Sequence, residues 1–403
     1  MNVNQRINKI NVVGLGYVGL PAALQFANND YEVIGTDLNA DLVSKLSNGQ
    51  SFFEESEMEN ELKKALLKGI TFSTNCIKAD LYIVAVPTNF DKKSKKIDPK
   101  HLISAVSNIL KICAEDAIIV IESTVSPGTI QRYLKPLSIE KKVHFVHAPE
   151  RIIPGNTLYE LIHNDRIIGS DDFEIGCIVK EVYASFCQGT IRITNLNTAE
   201  LTKVVENTFR DINIAYANEL KKICDRLTIN VHEVIELANK HPRVNILNPS
   251  AGVGGHCISV DPWFLVGDFV EITPLIATSR GVNDSMPEFT WKKVLKKEEG
   301  NKIGIYGLTY KENISDLRES PAIQLFEHLN KKEVQKPDYL YDPHLNEKIF
   351  DNQVLEFEKF IDSVEVVLVM APHDHLKNFL ECLNHKNIRI YDPFNRYENT
   401  IKI

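Results

Sequence analysis

Strand-like and helix-like runs alternate along the first half of the chain. Short β-branched apolar stretches, "KINVV", "YEVIG", "LYIVAV", "AIIVI" and "VHFVH", are separated by segments whose apolar positions recur at helical spacing. Apolar runs of that length, each closed by a polar or Gly/Pro turn, are the mark of strands buried on both faces of a parallel sheet, with the intervening helices as crossovers. Near residue 197 the pattern changes, and "NTAELTKVVENTFRDINIAYANELKKICDRL" keeps a helical period without Pro or Gly. Its Asn197 and Glu200 have the spacing of a capping box, so a long helix is predicted to begin there. More helix follows in "VHEVIELANKH" and again around 272–297, on either side of a Gly-rich stretch. Strand-like runs then return in "KIGIYGL", "DYLYDP", "VEVVLVMAP" and "NIRIYDP".

This order predicts an α/β protein: two Rossmann-like parallel-sheet domains joined by a long central helix and a helical middle domain. The expected domains are residues 1–196, 197–296 and 297–403, with the charged "KKEEGNK" at 296–302 as a linker. Open α/β sheets bind ligands beyond the carboxyl ends of their strands, and Thr88, Thr124 and Glu150 fall there.

Composition narrows the class. With 403 residues, 43% hydrophobic and 25% charged, the chain has the profile of a soluble globular protein. Its net charge of −8 argues against a surface built for nucleic acid or anionic lipid, so metabolites are the expected partners. No run approaches the roughly 18 apolar residues of a spanning helix. The opening "MNVNQRINKI" lacks the apolar core of a signal peptide, and a cytoplasmic location is expected. The seven cysteines, Cys76, Cys113, Cys177, Cys187, Cys224, Cys257 and Cys382, show neither a C-x-x-C pair nor paired Cys/His spacing. Neither a disulfide framework nor a metal site is expected, and the six other than Cys257 read as small buried hydrophobes.

The first chemical signal is Gly14-x-Gly16-x-x-Gly19, placed directly after a strand and at the opening of a helix, with Asp37 closing the next strand. Such glycines allow a tight turn, close approach of backbone to a pyrophosphate, and close helix packing, while the helix N-terminus offers amides to phosphate. Asp37 suits a ribose diol and repels a 2′-phosphate, and no arginine follows it. NAD is the expected cofactor.

On the long helix Glu200, Lys203, Asn207 and Asp211 share one face. Alone, that face reads either as a solvated stripe or as a polar lining. The neighbouring Val204, Val205, Ile212 and Ala215 suggest a packed helix, and a lysine facing a cleft stabilises oxyanions or moves protons. In "AGVGGHCISVDPWF", Cys257 sits among glycines as either a nucleophile or a buried hydrophobe. Beside an NAD fingerprint, a thiolate offers a route from aldehyde to acid through a thiohemiacetal and a thioester, and a nearby cation would lower its pKa. His256, being adjacent, need not be that cation.

Taken in order, "GLGYVGLP", "VPT", "ESTVSPGT", "APERIIPG", "TAELTKVVENTFRDINIAYANEL", "GVGGHCISVDP" and "GLTYKENISDLRESPA" resemble the nucleotide-sugar dehydrogenases over about residues 9–393. The resemblance implies oxidation of the C6 hydroxyl of a UDP-hexose to a carboxylate with NAD, in a homodimer built around the long helix. It implies that residues 1–196 bind NAD, 197–296 carry dimerisation and catalysis, and 297–403 bind the UDP-sugar. It makes Cys257 the nucleophile, and Lys203 the oxyanion or proton-transfer group, with Asn207 assisting. Asp261 becomes a proton-transfer acid, and Thr124 and Glu150 lie near the reacting carbon and the hydrolytic water. Cofactor contacts are implied for Gly14, Gly16, Tyr17, Val18, Gly19, Asp37, Thr88, Thr124 and Arg318. Substrate contacts are implied for Arg151, Ile152, Lys203, Asn207, Arg210, His241, Arg243, Gly254, Tyr310 and Lys311, Arg243 reaching across from a neighbouring subunit.

Departures from the family pattern bear on the sugar. Where UDP-glucose dehydrogenases read P-E-F-L-x-E-G, this chain reads "PERIIPG", with Pro154 in place of a second glutamate, and Val260 stands where they carry lysine. UDP-N-acetylglucosamine dehydrogenases tend to be acidic where Ile152-Ile153 is apolar. "HPRVNI" and "GVGGHCISVDPWF" are closest to the UDP-N-acetylmannosamine branch, whose product is the uronic acid of cell-surface polysaccharide. The basic residue that relatives set against UDP near the C-terminus has no unambiguous match. The competing readings are a UDP-N-acetylglucosamine or UDP-glucose 6-dehydrogenase, a two-electron hydroxyacid dehydrogenase, which needs no thiol, and a non-catalytic nucleotide-sugar-binding protein.

Overall fold

The computed structural model describes residues 7–53, 56–152, 155–332 and 335–403, so Ile153 and Pro154 lie outside the described residues. It divides into two compact units, Met1–Val205 and Glu206–Ile403.

The first unit is built on an eight-stranded sheet in the order β10-β9-β8-β7-β4-β1-β2-β3. Its strands are β1 (Lys9–Val13), β2 (Glu32–Thr36), β3 (Thr71–Ser73), β4 (Leu81–Val84), β7 (Ala117–Ile121), β8 (Val143–His147), β9 (Arg166–Ser170) and β10 (Ile191–Thr194), while β5 (Asn89–Phe90) and β6 (Ile97–Asp98) form a separate hairpin. The helices are α1 (Gly19–Asn28), α2 (Ala40–Ser47), α3 (Ser56–Leu67), α4 (Lys100–Ile112), α5 (Thr157–His163) and α6 (Phe173–Ala184). One continuous core joins Leu20 and Phe26 of α1, Met58 and Leu62 of α3, Leu161 of α5 and Val179 of α6 to Ile10, Val12, Val120, Val146 and Ile168 of the sheet. Ile119 and Ile121, which point the other way from Val120, are buried as well. Both faces are therefore covered, and this is why the strands read as continuous apolar runs. Pairing is parallel except between β8 and β9, which run antiparallel with Val146 opposite Ser170. β9 starts at the end of the sheet where β8 stops, so no crossover separates these two strands.

An ion pair crosses this interior. Arg166 Nη1 donates to Glu122 Oε1 at 2.9 Å, with both side chains buried, and the Tyr183 hydroxyl donates to the same oxygen at 3.3 Å. The guanidinium also lies 4.4 Å from the Tyr183 ring centroid.

In the second unit α7 (Leu196–Leu227), continuing from the first, is followed by α8 (Val231–Ala238), α9 (Asp261–Asp268) and α10 (Pro274–Lys297). A five-stranded parallel sheet then forms in the order β12-β11-β13-β14-β15, from β11 (Ile303–Tyr306), β12 (Tyr339–Tyr341), β13 (Val366–Val369), β14 (Arg389–Asp392) and β15 (Ile401–Lys402), with α11 (Pro321–Lys332), α12 (Phe357–Ser363) and α13 (Leu380–His385). Strand alternation divides its core. Ile303, Ile305, Val366 and Leu368 pack with α10 and α11, while Tyr306, Val367 and Val369 pack with α12 and α13. In the charged stretch after α10, Glu298 is buried, and it accepts bonds from Arg389 Nε at 3.0 Å and from the Tyr391 hydroxyl at 2.6 Å.

Two sequence expectations change. Asn195, not Asn197, caps α7, its Oδ1 accepting the Thr198 amide at 2.8 Å. Glu200 is instead drawn to the amides of Gly128 and Ile130, at 2.5 and 3.0 Å, which satisfies two donors that a helix-internal role would leave bare. The cysteines other than Cys257 are also not uniformly buried: Cys113, Cys187 and Cys224 are, Cys76 and Cys177 are half-buried, and Cys382 is exposed.

Removing one partner of a buried pair leaves the other charge uncompensated. Arg166→Met is expected to cost about 3–5 kcal/mol in chemical denaturation, and the double variant with Glu122→Gln to recover part of it. A second buried charge makes stability depend on pH. Lys221 on α7 is buried with Nζ 3.3 Å from the Pro393 carbonyl, near Lys293, Asp225, Asp392 and His232, and burial pulls its pKa from 10.5 to about 7. Between those values the unfolded chain binds the extra proton, so folded stability rises as pH rises through that window. Urea melts at pH of about 7 and about 9.5 are expected to show this rise in the wild type and to show less of it in Lys221→Met.

Candidate active site

The glycine turn after β1 meets the requirements of a dinucleotide. A Cβ on Gly19 would lie 1.9 Å from the Gly14 carbonyl oxygen, so only glycine lets α1 start this close to the strand. On Gly16, by contrast, a Cβ would meet nothing within 4 Å, which leaves the outer side of the turn open. Val18 precedes α1 without a side-chain cap, so no side chain closes that helix start. Asp37 closes the mouth, Oδ2 taking the Leu15 amide and Oδ1 the Asn39 amide, each at 2.9 Å. It stays half-buried, with lone pairs left for a ribose diol. Tyr17 is 38% exposed and packs edge-on against Phe52 and Phe53. These residues fit NAD: the turn at Gly14, Gly16, Val18 and Gly19 is open to a phosphate, and Asp37 has acceptors left for a ribose diol.

Farther along the same sheet edge, Thr88 donates through Oγ1 to the Thr124 carbonyl at 2.7 Å, tying the loops after β4 and β7 together. The loop after β8 carries Glu150, which is buried, with Oε2 taking the Ile152 amide at 2.5 Å and Oε1 3.6 Å from Lys203 Nζ. His147 lies beneath, its Nδ1 donating to the Ile121 carbonyl at 2.9 Å, and burial depresses its pKa to about 3, so it stays neutral. Arg151 is half-buried and donates to the Asp165 carbonyl at 3.0 Å.

The polar face of α7 is no solvated stripe. Glu200, Lys203, Asn207, Asp211, Asn218 and Lys221 are all buried. In the second unit Asn207 Nδ2 donates to Asp261 Oδ2 at 2.6 Å, and Asp211 Oδ1 accepts from Arg280 at 2.5 Å and from Asn283 at 2.8 Å. Asn283 Oδ1 accepts from Asn218, whose own Oδ1 takes the Ser250 amide at 2.8 Å, just ahead of the cysteine loop. The apolar face is reversed too. Val205, expected to be packed, is 45% exposed, and Leu201, Phe209, Tyr216, Ile223 and Leu227 are exposed with it.

Cys257 is exposed, at the start of the turn that leads into α9, and its carbonyl accepts the amides of Val260 and Asp261. Gly255 is held at φ +87°, where a Cβ would lie 2.6 Å from the Tyr310 ring. Its amide donates to the Arg318 carbonyl at 3.1 Å, and Gly254 is pressed against the Glu319 carbonyl. The second unit thus assembles Gly254, Cys257, Asp261, Asn207, Tyr310 and Arg318. Arg318 is gripped by both carboxylate oxygens of Asp316, and its charge interacts with Cys257. His256 is kept below its ordinary range by burial and by the Arg318 charge, so the cation beside the thiol is Arg318. Lys311 is half-buried on the Tyr310 loop.

Arg210, His241 and Arg243 are exposed on the second unit. The segment after α8 that carries the last two is tied to α7 by Asn213, which donates to the Asn245 carbonyl at 2.8 Å and accepts the Leu247 amide at 2.9 Å. Sequence reading missed Asp316, which the Asp-x-Arg spacing in "SDLRES" signals, and also Arg280, Asn283 and Ser250, which no motif marks.

Comparison with known proteins agrees with this geometry. Three models of the UDP-glucose/GDP-mannose dehydrogenase family match in order: the NAD binding domain at 8–187, the central domain at 197–285 and the UDP binding domain at 304–399. A UDP-N-acetyl-D-mannosamine dehydrogenase of Methanococcus vannielii is 44% identical over 384 residues, spanning 93% of this chain and 88% of the relative. Another from Campylobacter jejuni is 37% identical, spanning 94% and 98%. The structure of the UDP-N-acetyl-mannosamine dehydrogenase Cap5O from Staphylococcus aureus superposes with a TM-score of 0.87 at 39% identity, covering 97% of this chain and 96% of that one. The fingerprint with its diol acid, the glycine-held cysteine loop and these matches lead to one conclusion: the chain belongs to the UDP-glucose/GDP-mannose dehydrogenase family and is an NAD-dependent oxidoreductase of UDP-sugars.

Proposed function

We propose that this enzyme oxidises UDP-N-acetyl-D-mannosamine at C6 to UDP-N-acetyl-D-mannosaminuronate, a four-electron oxidation on one cysteine, in the cytoplasm and for cell-surface polysaccharide. The observation that carries the chemistry is Cys257, exposed on a glycine turn with Arg318 as its neighbouring cation and the Asn207–Asp261 pair at the start of the next helix. The choice of sugar rests on relatives and a solved structure bearing the UDP-N-acetylmannosamine dehydrogenase name, and on the apolar Ile152 beside Glu150.

NAD+ supplies the hydride acceptor for both oxidations. Lys203 stabilises the C6 alkoxide and takes up or returns protons, and Glu150 at 3.6 Å keeps the ammonium oriented. Cys257 Sγ adds to the C6 aldehyde carbon, and the resulting thiohemiacetal oxyanion is stabilised by Lys203 and Asn207. Loss of the second hydride leaves a thioester. Glu150 and Thr124 hold the water that cleaves it, releasing the carboxylate and restoring the thiol, while Asp261 moves protons at this end. The balance is one UDP-sugar, one water and two NAD+ consumed for each carboxylate formed. On the substrate, Arg151, Ile152, Arg210, His241, Gly254, Tyr310 and Lys311 make the remaining contacts.

We also infer a homodimer. Leu201, Val205, Phe209, Tyr216, Ile223 and Leu227 form one exposed apolar face of a single helix, and such a stripe is normally covered. A second copy supplies that cover, and it brings Arg243 to the neighbour's substrate.

In a panel of UDP-sugars, UDP-N-acetylmannosamine is expected to yield two NADH per molecule, and Cys257→Ala to lower kcat at least about a thousandfold. One NADH per substrate, full activity in Cys257→Ala, or turnover confined to UDP-glucose would overturn the proposal. In light scattering after size exclusion, the wild type is expected to run as a dimer, and Phe209→Glu with Ile223→Glu as a monomer, since about 800 Å² per partner is needed for a stable interface.

A further inference from the structure

The turn chemistry that follows β1 recurs after β11. The Gly14 amide donates to the Thr36 carbonyl at the end of β2, and the Gly307 amide to the Tyr341 carbonyl at the end of β12, both at 2.8 Å. In each unit the acid just past the second strand takes the next amide: Asp37 Oδ2 from Leu15 at 2.9 Å, and Asp342 Oδ2 from Leu308 at 2.6 Å. The two carboxylates then part ways. Asp37 is half-buried with lone pairs in reserve, whereas Asp342 is fully buried. Its Oδ2 also accepts the Thr309 amide at 3.0 Å and lies 3.2 Å from His373 Nε2, while Oδ1 accepts the His344 amide at 2.8 Å. Three of these contacts fall on Oδ2 and one on Oδ1, and it is burial that withdraws this carboxylate from an outside ligand.

His373 is as deeply buried, and its geometry fixes its proton. Nδ1 lies 2.8 Å from the Asn313 amide, which only donates, so Nδ1 is the bare nitrogen and Nε2 carries the hydrogen toward Asp342 Oδ2. The Tyr397 hydroxyl anchors the His373 carbonyl at 2.7 Å. The Asn313 side chain meets Asp374, Nδ2 to Oδ2 at 2.8 Å and Oδ1 to its amide at 2.9 Å. The loop 308–313 is thus pinned at its start by Asp342 and at its end by His373. Between the pins lie Tyr310 and Lys311, with Thr309 Oγ1 donating to the Lys311 carbonyl at 3.0 Å.

We propose that the His373–Asp342 pair is the positioning device of the UDP-binding domain. It holds loop 308–313 where Tyr310 and Lys311 meet the UDP-sugar, and with Asp342 buried against His373 the diol-binding mode that Asp37 keeps open for NAD is closed. The pair touches no substrate and acts through the loop. This inference rests on the assignment of Tyr310 and Lys311 to the UDP-sugar, and the test separates the two.

The probe is UDP, titrated calorimetrically into the full-length enzyme, alongside the KM for NAD. Lys311→Ala and His373→Leu are each expected to weaken UDP about tenfold, with the NAD KM within about twofold of wild type. His373→Asn, whose Oδ1 can still accept the Asn313 amide, is expected to return to within about threefold, and Tyr397→Phe to show a smaller loss in the same direction as His373→Leu. Hydrogen exchange of the peptide spanning 308–313 is expected to quicken in His373→Leu and not in His373→Asn. Unchanged UDP affinity in Lys311→Ala would remove the loop assignment itself. Weakened UDP binding in Lys311→Ala together with wild-type affinity in folded His373→Leu would overturn the positioning role alone. Should His373→Leu not fold, wild-type UDP affinity in Tyr397→Phe overturns it instead.

Discussion

The constraint on which the rest depends is the burial of the polar side of α7. A buried polar group without a partner costs as much as a lost hydrogen bond or more, so each residue on that side dictates a piece of surrounding structure. Glu200 demands the amides of Gly128 and Ile130, Lys203 calls for Glu150, and Asn207 for Asp261. Asp211 recruits Arg280 and Asn283, and through Asn218 the same network reaches the Ser250 amide. Burial lifts the carboxyls of Glu200 and Asp211 above their ordinary range even so, a sign that desolvation outweighs their partners. A helix so arranged aligns its polar side chains with the loops that carry their partners.

The same reversal leaves the opposite side apolar and bare. Phe209 is 65% exposed and Ile223 53%, values out of place on a helix whose Lys203 and Lys221 are buried. Amphipathic helices ordinarily turn the apolar stripe toward the core and the charges toward water. Here the polar side of one helix is buried and its apolar side is exposed, so a substitution chosen to disturb one side need not touch the other.

Much of this was legible in the sequence, and the failures have physical causes. The doubly covered sheet follows from unbroken apolar strands, and the cofactor turn from glycines set between strand and helix with an acid beyond. Strand direction did not follow, because the side-chain pattern of β9 is the same whichever way it runs beside β8. The capping box at Asn197 failed because Glu200 has a better use, two backbone amides that lie far away in the chain. Val205 was misplaced because hydrophobicity says that a side chain needs cover, without saying whether its own chain supplies it. Arg280, Asn283 and His373 were invisible for a related reason: a single polar residue within an ordinary helix or loop acquires meaning only from the partner folded against it.

Fold likeness between the two α/β frameworks makes their difference informative. Both place a glycine after the first strand, donate its amide to the end of the second, and set an aspartate there to receive the following amide. If topology alone determined the ligand, both would offer a carboxylate to a ribose. What separates them is burial, with a histidine packed against the second acid. Enclosed with His373 and the added amides of Thr309 and His344, Asp342 is withdrawn from solvent, and these bonds outweigh burial to hold its carboxyl below the ordinary range. The same histidine ties down the loop that carries Tyr310 and Lys311. A repeated scaffold thus buries one acid and leaves the other half open, a difference that needs no alteration of the sheet.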